Sequence, residues 1–153
     1  MSKKIAVFPG SFCPFTKGHE SIVLRALPLF DEIIISVGLN SEKNNYFSID
    51  ERVQWIKDVF ADQKKISVLK YEGLTIEHCA KVKAKYILRG LRNSHDFKFE
   101  KGISQMNLSM DSTIETIFLI TEPKYSHISS TIVRDIIKNG GDASQFLPKE
   151  INI

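Results

Sequence analysis

The stretch of residues 5–20, IAVFPGSFCPFTKGHE, joins an apolar run to a turn rich in glycine and proline. Residues 5–8 have the composition of a buried strand, and a helical pattern begins at Gly18-His19. A loop that leads from a parallel strand into a helix presents free N–H groups and the positive end of the helix dipole, which suits an anion. The stretch therefore fits two interpretations, a tight turn or a phosphate-binding loop.

The rest of the chain alternates between strand-length apolar runs and amphipathic helical patterns. Strands are predicted at residues 5–8, 32–38, 66–71, 86–89 and 116–120. Helices are predicted at residues 18–27, from a capping box at 48–51 through Phe60, at 75–83, at 96–110 and at 129–139, the last ended by Gly140-Gly141. With no linker or repeat, this order predicts one α/β domain over residues 1–153, a Rossmann-like doubly wound sandwich around a five-stranded parallel sheet.

Composition limits the classes of protein that the chain can represent. The 153 residues are 42% hydrophobic and 25% charged, as in an ordinary globular domain. No apolar run approaches the roughly 18 residues of a membrane span, no signal segment is seen, and Cys13 and Cys79 are too few for a disulfide framework, so we expect a cytoplasmic protein without a membrane partner. A net charge of +3 leaves open a nucleic-acid surface or an anionic small substrate.

Ligands of doubly wound sheets bind beyond the carboxyl ends of the strands, and the first strand ends in groups that suit phosphate. Backbone N–H groups near Gly10 and Ser11, the Ser11 hydroxyl and the imidazole of His19 can all contact phosphate oxygens. The alternative is that His19 is structural, as a single histidine near a helix start often is. The sequence around it favours a binding role.

The fourth strand ends in RGLR, residues 89–92, which places Arg89 and Arg92 around a glycine. The planar guanidinium fork matches phosphate oxygens, so the pair predicts a polyanion site. The alternative is a pair of salt bridges with Asp96 or Glu100, which leaves the glycine unexplained.

A third group of polar residues, HISST at residues 127–131, lies at the start of the last predicted helix. The hydroxyls of Ser129, Ser130 and Thr131 exceed what an N-cap needs, although one of the two serines is expected to be the cap. Lys43, in the loop after the second strand, adds a cation that alone would be interpreted as a surface lysine.

Zinc-ligand spacing, a G-x-x-x-x-G-K-[ST] loop, a G-x-G-x-x-G turn and a G-x-S-x-G elbow are all missing from the sequence.

The segment PGSFCPFTKGH contains Thr16-Lys17-Gly18-His19, which resembles the T-x-G-H signature of the nucleotidyltransferase superfamily. Together with RGLR, DFKFE, HISST and FLP at residues 146–148, the chain resembles the bacterial phosphopantetheine adenylyltransferase family over nearly its whole length. The resemblance implies transfer of AMP from ATP to 4'-phosphopantetheine, which gives dephospho-coenzyme A and pyrophosphate in the penultimate step of coenzyme A biosynthesis. It also implies magnesium bound with ATP, no protein metal ligands, no nucleic-acid partner and a homohexamer.

The resemblance assigns roles to individual residues. It places His19 against the transferring α-phosphate and makes His19, Lys43 and Arg92 the catalytic residues. The acceptor would be held by Ser11, Lys43, Thr75 and Arg89. ATP would contact Ser11, Phe12, His19, Gly90, Leu91, Arg92, Glu100, Tyr125, Ser126, His127, Ile128, Ser129, Ser130 and Thr131.

Two positions depart from the family pattern. Cys13 replaces an aspartate, and Lys17 replaces a common asparagine. The aspartate is interpreted as a brace of the loop, so activity is expected to survive, while any role of that carboxylate near the metal is lost.

Direct in-line attack is the expected mechanism, because a phosphate monoester with a second pKa of about 6 is already largely dianionic at neutral pH. Positioning and electrostatics therefore fall to Lys43, Arg89, Arg92, His19 and magnesium. His19 is predicted to be a neutral hydrogen-bond donor, since a helix N-terminus disfavours imidazolium. The rival interpretations are an adenylyl- or cytidylyltransferase for another acceptor, such as nicotinate mononucleotide, and a nucleotide- or RNA-binding module without turnover.

Overall fold

A computed structural model describes residues 2–39 and 46–153 and contains a sheet of five parallel strands. The strands are β1 (Ile5–Gly10), β2 (Glu32–Gly38), β3 (Ile66–Tyr71), β4 (Tyr86–Leu91) and β5 (Glu115–Ile120). Their order is β3-β2-β1-β4-β5, and each neighbouring pair is parallel. The predicted parallel α/β sheet is confirmed.

Helices connect the strands in the predicted order. They are α1 (Lys17–Ala26), α2 (Ile49–Val59), α3 (Thr75–Lys81), α4 (Ser94–Met110) and α5 (Ser130–Lys138), with short 3₁₀ turns at Leu27–Leu29, Pro123–Tyr125 and Ser144–Phe146. Across the two described ranges, no helix combines the length and the apolar character needed to cross a bilayer.

The sheet has a hydrophobic core on each face, because successive side chains of a strand point to opposite sides. Ala6 and Phe8 belong to the larger core, which includes residues of α1, α2 and α5. Val7 belongs to the smaller core, with Ile76 and Cys79 of α3. Helices thus cover both faces, as the doubly wound prediction requires.

The first and fourth strands are each two residues longer than predicted. Pro9 and Gly10 continue the pairing of β1 with β2, opposite Ser36 and Val37. In contrast, β1 pairs with β4 only at Ala6 and Val7. The two strands therefore separate beyond Val7, where Pro9 also has no N–H group to donate to a ladder.

The ends of the helices follow from capping groups in the sequence. Ser48 Oγ accepts the Glu51 N–H at 3.2 Å before α2, and Ser129 Oγ accepts the Ile132 N–H at 3.2 Å before α5, so Ser129 is the N-cap. Gly140 has φ +76° after α5, and its N–H donates to the Ile137 carbonyl at 3.0 Å. This left-handed glycine ends the helix as predicted.

Candidate active site

A crevice opens between β1 and β4, where the strand order reverses. Two cavities adjoin there, one of about 650 Å³ and one of about 310 Å³. Their walls share Pro9, Gly10, Ser11, Arg89 and Glu100. The two spaces therefore meet at the carboxyl ends of the strands that sequence analysis selected.

The smaller cavity brings together most of the residues expected to contact ATP. Its walls include Ser11, Phe12, His19, Gly90, Arg92, Glu100, Tyr125, Ile128, Ser129, Ser130 and Thr131. The remaining three expected residues do not line it: Leu91 is buried, whereas Ser126 and His127 are exposed.

The larger cavity contains the described residues that were expected to bind the acceptor. Ser11 and Arg89 lie on its border with the smaller cavity, and Thr75 lies at the start of α3. The fourth expected residue, Lys43, lies outside the described residues.

The T-x-G-H segment has a local structural explanation in the start of α1. Thr16 is the N-cap, and its backbone N–H donates to Nδ1 of His19 at 3.0 Å. The His19 backbone N–H lies 3.5 Å from Thr16 Oγ1. This is a capping box in which histidine takes the place usually held by glutamate or glutamine.

Burial and the same capping box together determine where the imidazole of His19 carries its proton. Burial, together with the positive charges of Arg89 and Arg92, lowers the pKa of His19 to about 3. Neutrality was predicted, although from the helix dipole rather than from burial and the two arginines. With Nδ1 accepting from Thr16, the single proton of the neutral ring resides on Nε2, which becomes a donor.

The loop between β1 and α1 is held in an unusual conformation at Phe12, whose φ is +46°. A left-handed residue with a side chain costs roughly 1–2 kcal/mol. Burial of the aromatic ring offsets this cost, because Phe12 packs against Phe8 and Phe15 with centroids 5.2 and 5.3 Å away. The imidazole of His19 meets the Phe12 ring edge-on at 5.0 Å.

Arg52, on α2, anchors the loop from behind and was missed by sequence analysis. Only 1% of the residue is exposed. Its Nη1 donates to the Ser11 carbonyl at 2.6 Å, while Nε donates to the carbonyls of Phe47 and Ser48 at 3.1 and 3.3 Å. Burial lowers the pKa of Arg52, and the nearby thiol of Cys13 opposes that shift when it is ionised.

Helix α5 holds two further carbonyls of the same loop, those of Cys13 and Pro14. Arg134 Nη1 donates to the Cys13 carbonyl at 2.6 Å, and Ser130 Oγ donates to the Pro14 carbonyl at 2.8 Å. Cys13 itself is buried. Arg134 and Arg52 could not be identified from spacing, because each contacts the loop from a position far away in sequence.

Arg89 forms an ion pair with Glu100, which was the alternative interpretation of the RGLR segment. Its Nε lies 3.0 Å from Glu100 Oε2, Nη2 donates to Oε1, and Nη1 donates to the Pro9 carbonyl at 2.6 Å. Among the described residues these bonds use three of the five guanidinium N–H groups and leave two for a ligand oxygen. The ion pair and a phosphate site are therefore compatible.

Arg92, three residues after Arg89, also bonds both to a carboxylate and to a backbone carbonyl. Its Nε donates to Asp96 Oδ2 at 3.1 Å, and Nη1 donates to the Ile128 carbonyl at 3.2 Å. Arg92 thus ties the end of β4 to the segment that leads into α5. Gly90, between the arginines, is explained by packing: a Cβ there would lie 3.0 Å from Cγ1 of Ile22, on α1.

Within residues 2–39 and 46–153, no group of three histidine, cysteine or acidic residues is arranged to hold a metal ion. The two carboxylates of the smaller cavity, Asp96 and Glu100, are both paired with arginines.

Comparison with known proteins identifies relatives along nearly the whole chain. A family model described as Cytidylyltransferase-like matches residues 7–136. The phosphopantetheine adenylyltransferase of Flavobacterium psychrophilum is 53% identical over 148 residues, or 97% of each chain. That of Cytophaga hutchinsonii is 49% identical, over 97% of this chain and 99% of the relative. That of Bacteroides thetaiotaomicron is 45% identical over 97% of each chain.

A solved structure shares the fold. The bifunctional NMN adenylyltransferase/ADP ribose pyrophosphatase from Francisella tularensis matches with a TM-score of 0.74 over 98% of this chain and 46% of its own length, at 20% identity. The sequence matches are much closer and cover both partners almost completely. They show that the chain belongs to the phosphopantetheine adenylyltransferase family of cytidylyltransferase-like proteins.

Proposed function

We propose that the protein transfers the AMP moiety of ATP to the phosphate of 4'-phosphopantetheine, giving dephospho-coenzyme A and pyrophosphate. The observation that carries this proposal is the junction of the two cavities at Ser11 and Arg89. A nucleotide in one cavity and a phosphorylated acceptor in the other would bring their phosphates together at that junction. The relatives with the same enzyme name support the choice of substrates.

ATP is assigned to the smaller cavity, because Arg92 and the three hydroxyl residues at the start of α5 line it. The acceptor is assigned to the larger cavity, because Arg89 and Thr75 both line it. The elongated arm of the acceptor can run from Arg89 toward Thr75. Lys43 is proposed to add a second positive charge for the acceptor phosphate.

The chemistry requires positioning rather than a general base. An oxygen of the acceptor phosphate, already largely ionised with a second pKa of about 6, attacks the α-phosphorus of ATP. One phosphorus–oxygen bond forms as the bond to the β-phosphate oxygen breaks, and pyrophosphate leaves with that electron pair. Arg89 and Arg92 would reduce the repulsion between the two polyanions.

His19 is proposed to stabilise the negative charge that grows on the α-phosphate oxygens. Its Nε2–H is a fixed donor, because Thr16 holds Nδ1 and the aromatic rings of Phe12 and Phe15 pack around the imidazole. A donor fixed before the reaction costs no reorganisation when the charge develops.

Magnesium is proposed to enter as part of the ATP complex. Because Asp96 and Glu100 are paired with arginines, phosphate oxygens and water would supply the ligands of the ion in the smaller cavity, which suits the preference of Mg²⁺ for retaining water ligands. When bound, the ion would neutralise phosphate charge. We also assign the protein to the cytoplasm, which the free thiols of Cys13 and Cys79 support.

A homohexamer is proposed as the assembly. Helix α4 supports self-association, since it exposes apolar side chains that a monomer would leave in water: Phe97, Phe99, Ile103, Met106, Leu108 and Met110. Sedimentation velocity should give the mass of six chains, and a monomer at micromolar concentration would contradict this assignment.

The function is tested by measuring pyrophosphate release with ATP and each of two acceptors. Release with 4'-phosphopantetheine and not with nicotinate mononucleotide is expected. Preference for the mononucleotide would favour the other transferase. No release with either acceptor, combined with intact ATP binding, would favour the binding module. Titration with single-stranded RNA completes the comparison, and no binding is expected.

A further inference from the structure

A polar pair on the wall of the larger cavity is held from behind by a buried histidine. Tyr71 ends β3 and Thr75 begins α3, and both line the cavity. The Tyr71 hydroxyl lies 3.0 Å from Thr75 Oγ1. Such a pair can donate to and accept from an amide or hydroxyl group of a ligand.

His78 lies behind Tyr71 and is fixed by a different strand. The two rings stack with centroids 4.5 Å apart and an interplanar angle of 25°. His78 Nε2 lies 2.8 Å from the hydroxyl oxygen of Ser36, a fully buried residue of β2. His78 follows Thr75 by three residues, so one face of α3 carries both the cavity hydroxyl and the ring that supports Tyr71.

A histidine is a costly choice for this position. His78 is only 7% exposed, and burial lowers its pKa, which favours the neutral ring. A buried polar atom such as Nε2 needs a hydrogen-bond partner. A phenylalanine could stack on Tyr71 without that requirement. What the imidazole adds is the bond to Ser36, which fixes the plane of the ring on which Tyr71 rests.

We propose that His78 is a positioning residue for the acceptor: through Ser36 it fixes Tyr71, so that the Tyr71–Thr75 pair recognises the amide-bearing arm of the acceptor. The inference rests on the proposed function, because it requires the arm to occupy the larger cavity. The network is expected to affect the binding of the acceptor alone. Neither ATP, in the smaller cavity, nor the reacting phosphates, at Arg89, would contact this network.

The test compares two single variants that remove the same hydrogen bond from opposite ends. His78→Phe retains a ring for stacking, and Ser36→Ala removes the hydroxyl. Each should raise the KM for 4'-phosphopantetheine about fivefold, the effect of one ordinary hydrogen bond. The KM for ATP and the kcat should remain unchanged. The double variant should be no worse than either single variant, because both remove one interaction.

Cys79→Ala is the matched control. Cys79 adjoins His78 on α3 and is fully buried, but it belongs to the core that includes Val7 and Ile76. This variant should lower the unfolding temperature without changing the KM for the acceptor. An equal rise of that KM in Cys79→Ala, or an equal rise of the KM for ATP in the other variants, would mean that His78 is only structural.

Tyr71→Phe keeps the ring and removes only the hydroxyl, so it tests the cavity end of the network even if the buried variants do not fold. It should also raise the KM for the acceptor about fivefold. An unchanged acceptor KM in folded Tyr71→Phe overturns the inference, as does an unchanged value in folded His78→Phe. Lack of wild-type turnover with 4'-phosphopantetheine would overturn the proposed function and this inference with it.

Discussion

The backbone N–H of Thr16 donates to Nδ1 of His19 at 3.0 Å, and this bond links the start of helix α1 to the tautomer of the imidazole. The cap places the remaining proton on Nε2, and His19 lines the smaller cavity. The bond that caps the first turn of α1 therefore also prepares a hydrogen-bond donor. The two consequences can be separated by substitution.

His19→Ala removes both the cap and the donor. Loss of a fixed donor to developing charge typically lowers kcat on the order of 10²–10³-fold. ATP affinity, shared with Arg92 and the hydroxyls at the start of α5, should change little. Steady-state kinetics and ATP titration measure the two quantities. A mutant with wild-type kcat and weakened ATP binding would make His19 a ground-state binder.

His19→Gln is the control for the helix cap. A glutamine oxygen can accept the Thr16 N–H as in an ordinary capping box, so the stability lost in His19→Ala, about 1 kcal/mol, should be largely recovered. Denaturant unfolding measures this. A loss of stability in His19→Gln as large as that in His19→Ala would contradict the capping role of His19.

Arg52 should affect both substrates, because the Ser11 carbonyl that it holds belongs to the loop shared by the two cavities. Arg52→Lys keeps the charge but cannot reach the Ser11 and Phe47 carbonyls together. We expect a loss of about 1–3 kcal/mol in the free energy of unfolding, since a buried carbonyl is left unpaired. The kcat/KM should fall for both ATP and the acceptor. Lys57→Ala, an exposed change on the same helix, should alter neither quantity.

Cys13→Asp places a carboxylate beside the buried guanidinium of Arg52. The variant should keep kcat within about tenfold of wild type, or about 1.4 kcal/mol in the barrier. Its thermal midpoint should equal or exceed the wild-type value, because the buried cation gains an opposite charge. Near-complete loss of turnover in a folded variant would show that the thiol has a role beyond structure.

Lys43→Ala tests the assignment of the acceptor phosphate. A charge-assisted hydrogen bond contributes about 1.5–3 kcal/mol, so the KM for 4'-phosphopantetheine should rise about tenfold to a hundredfold while ATP binding is retained. Arg89→Lys should act in the same direction, because a lysine cannot keep the Pro9 and Glu100 bonds together. Equal losses for both substrates would contradict the assignment of Lys43.

Local patterns in the sequence predicted the elements that depend on local chemistry. The apolar runs identified all five strands, and the caps Ser48, Ser129 and Gly140 lie where they were expected. The third helix ended two residues early, at Lys81, because Lys83 adopts a left-handed φ of +61° that no local signal marked.

Features that depend on distant contacts could not be predicted in this way. The separation of β1 from β4 beyond Val7 depends on strand pairing, and the role of Gly90 depends on Ile22 in another element. Arg52 and Arg134 resembled ordinary helical arginines until the fold brought them to the carbonyls of Ser11 and Cys13.

The most direct test of the central claim, that neutral His19 is a donor and not a base, is the ratio of kcat in wild type to kcat in His19→Ala between pH 5.5 and 8. The acceptor phosphate titrates near pH 6 in both enzymes, so its effect cancels in the ratio. With the pKa of His19 at about 3, the ring stays neutral throughout, and we predict a constant ratio. A ratio that falls about tenfold per pH unit below pH 6.5, as for a histidine base of ordinary pKa, would contradict the account.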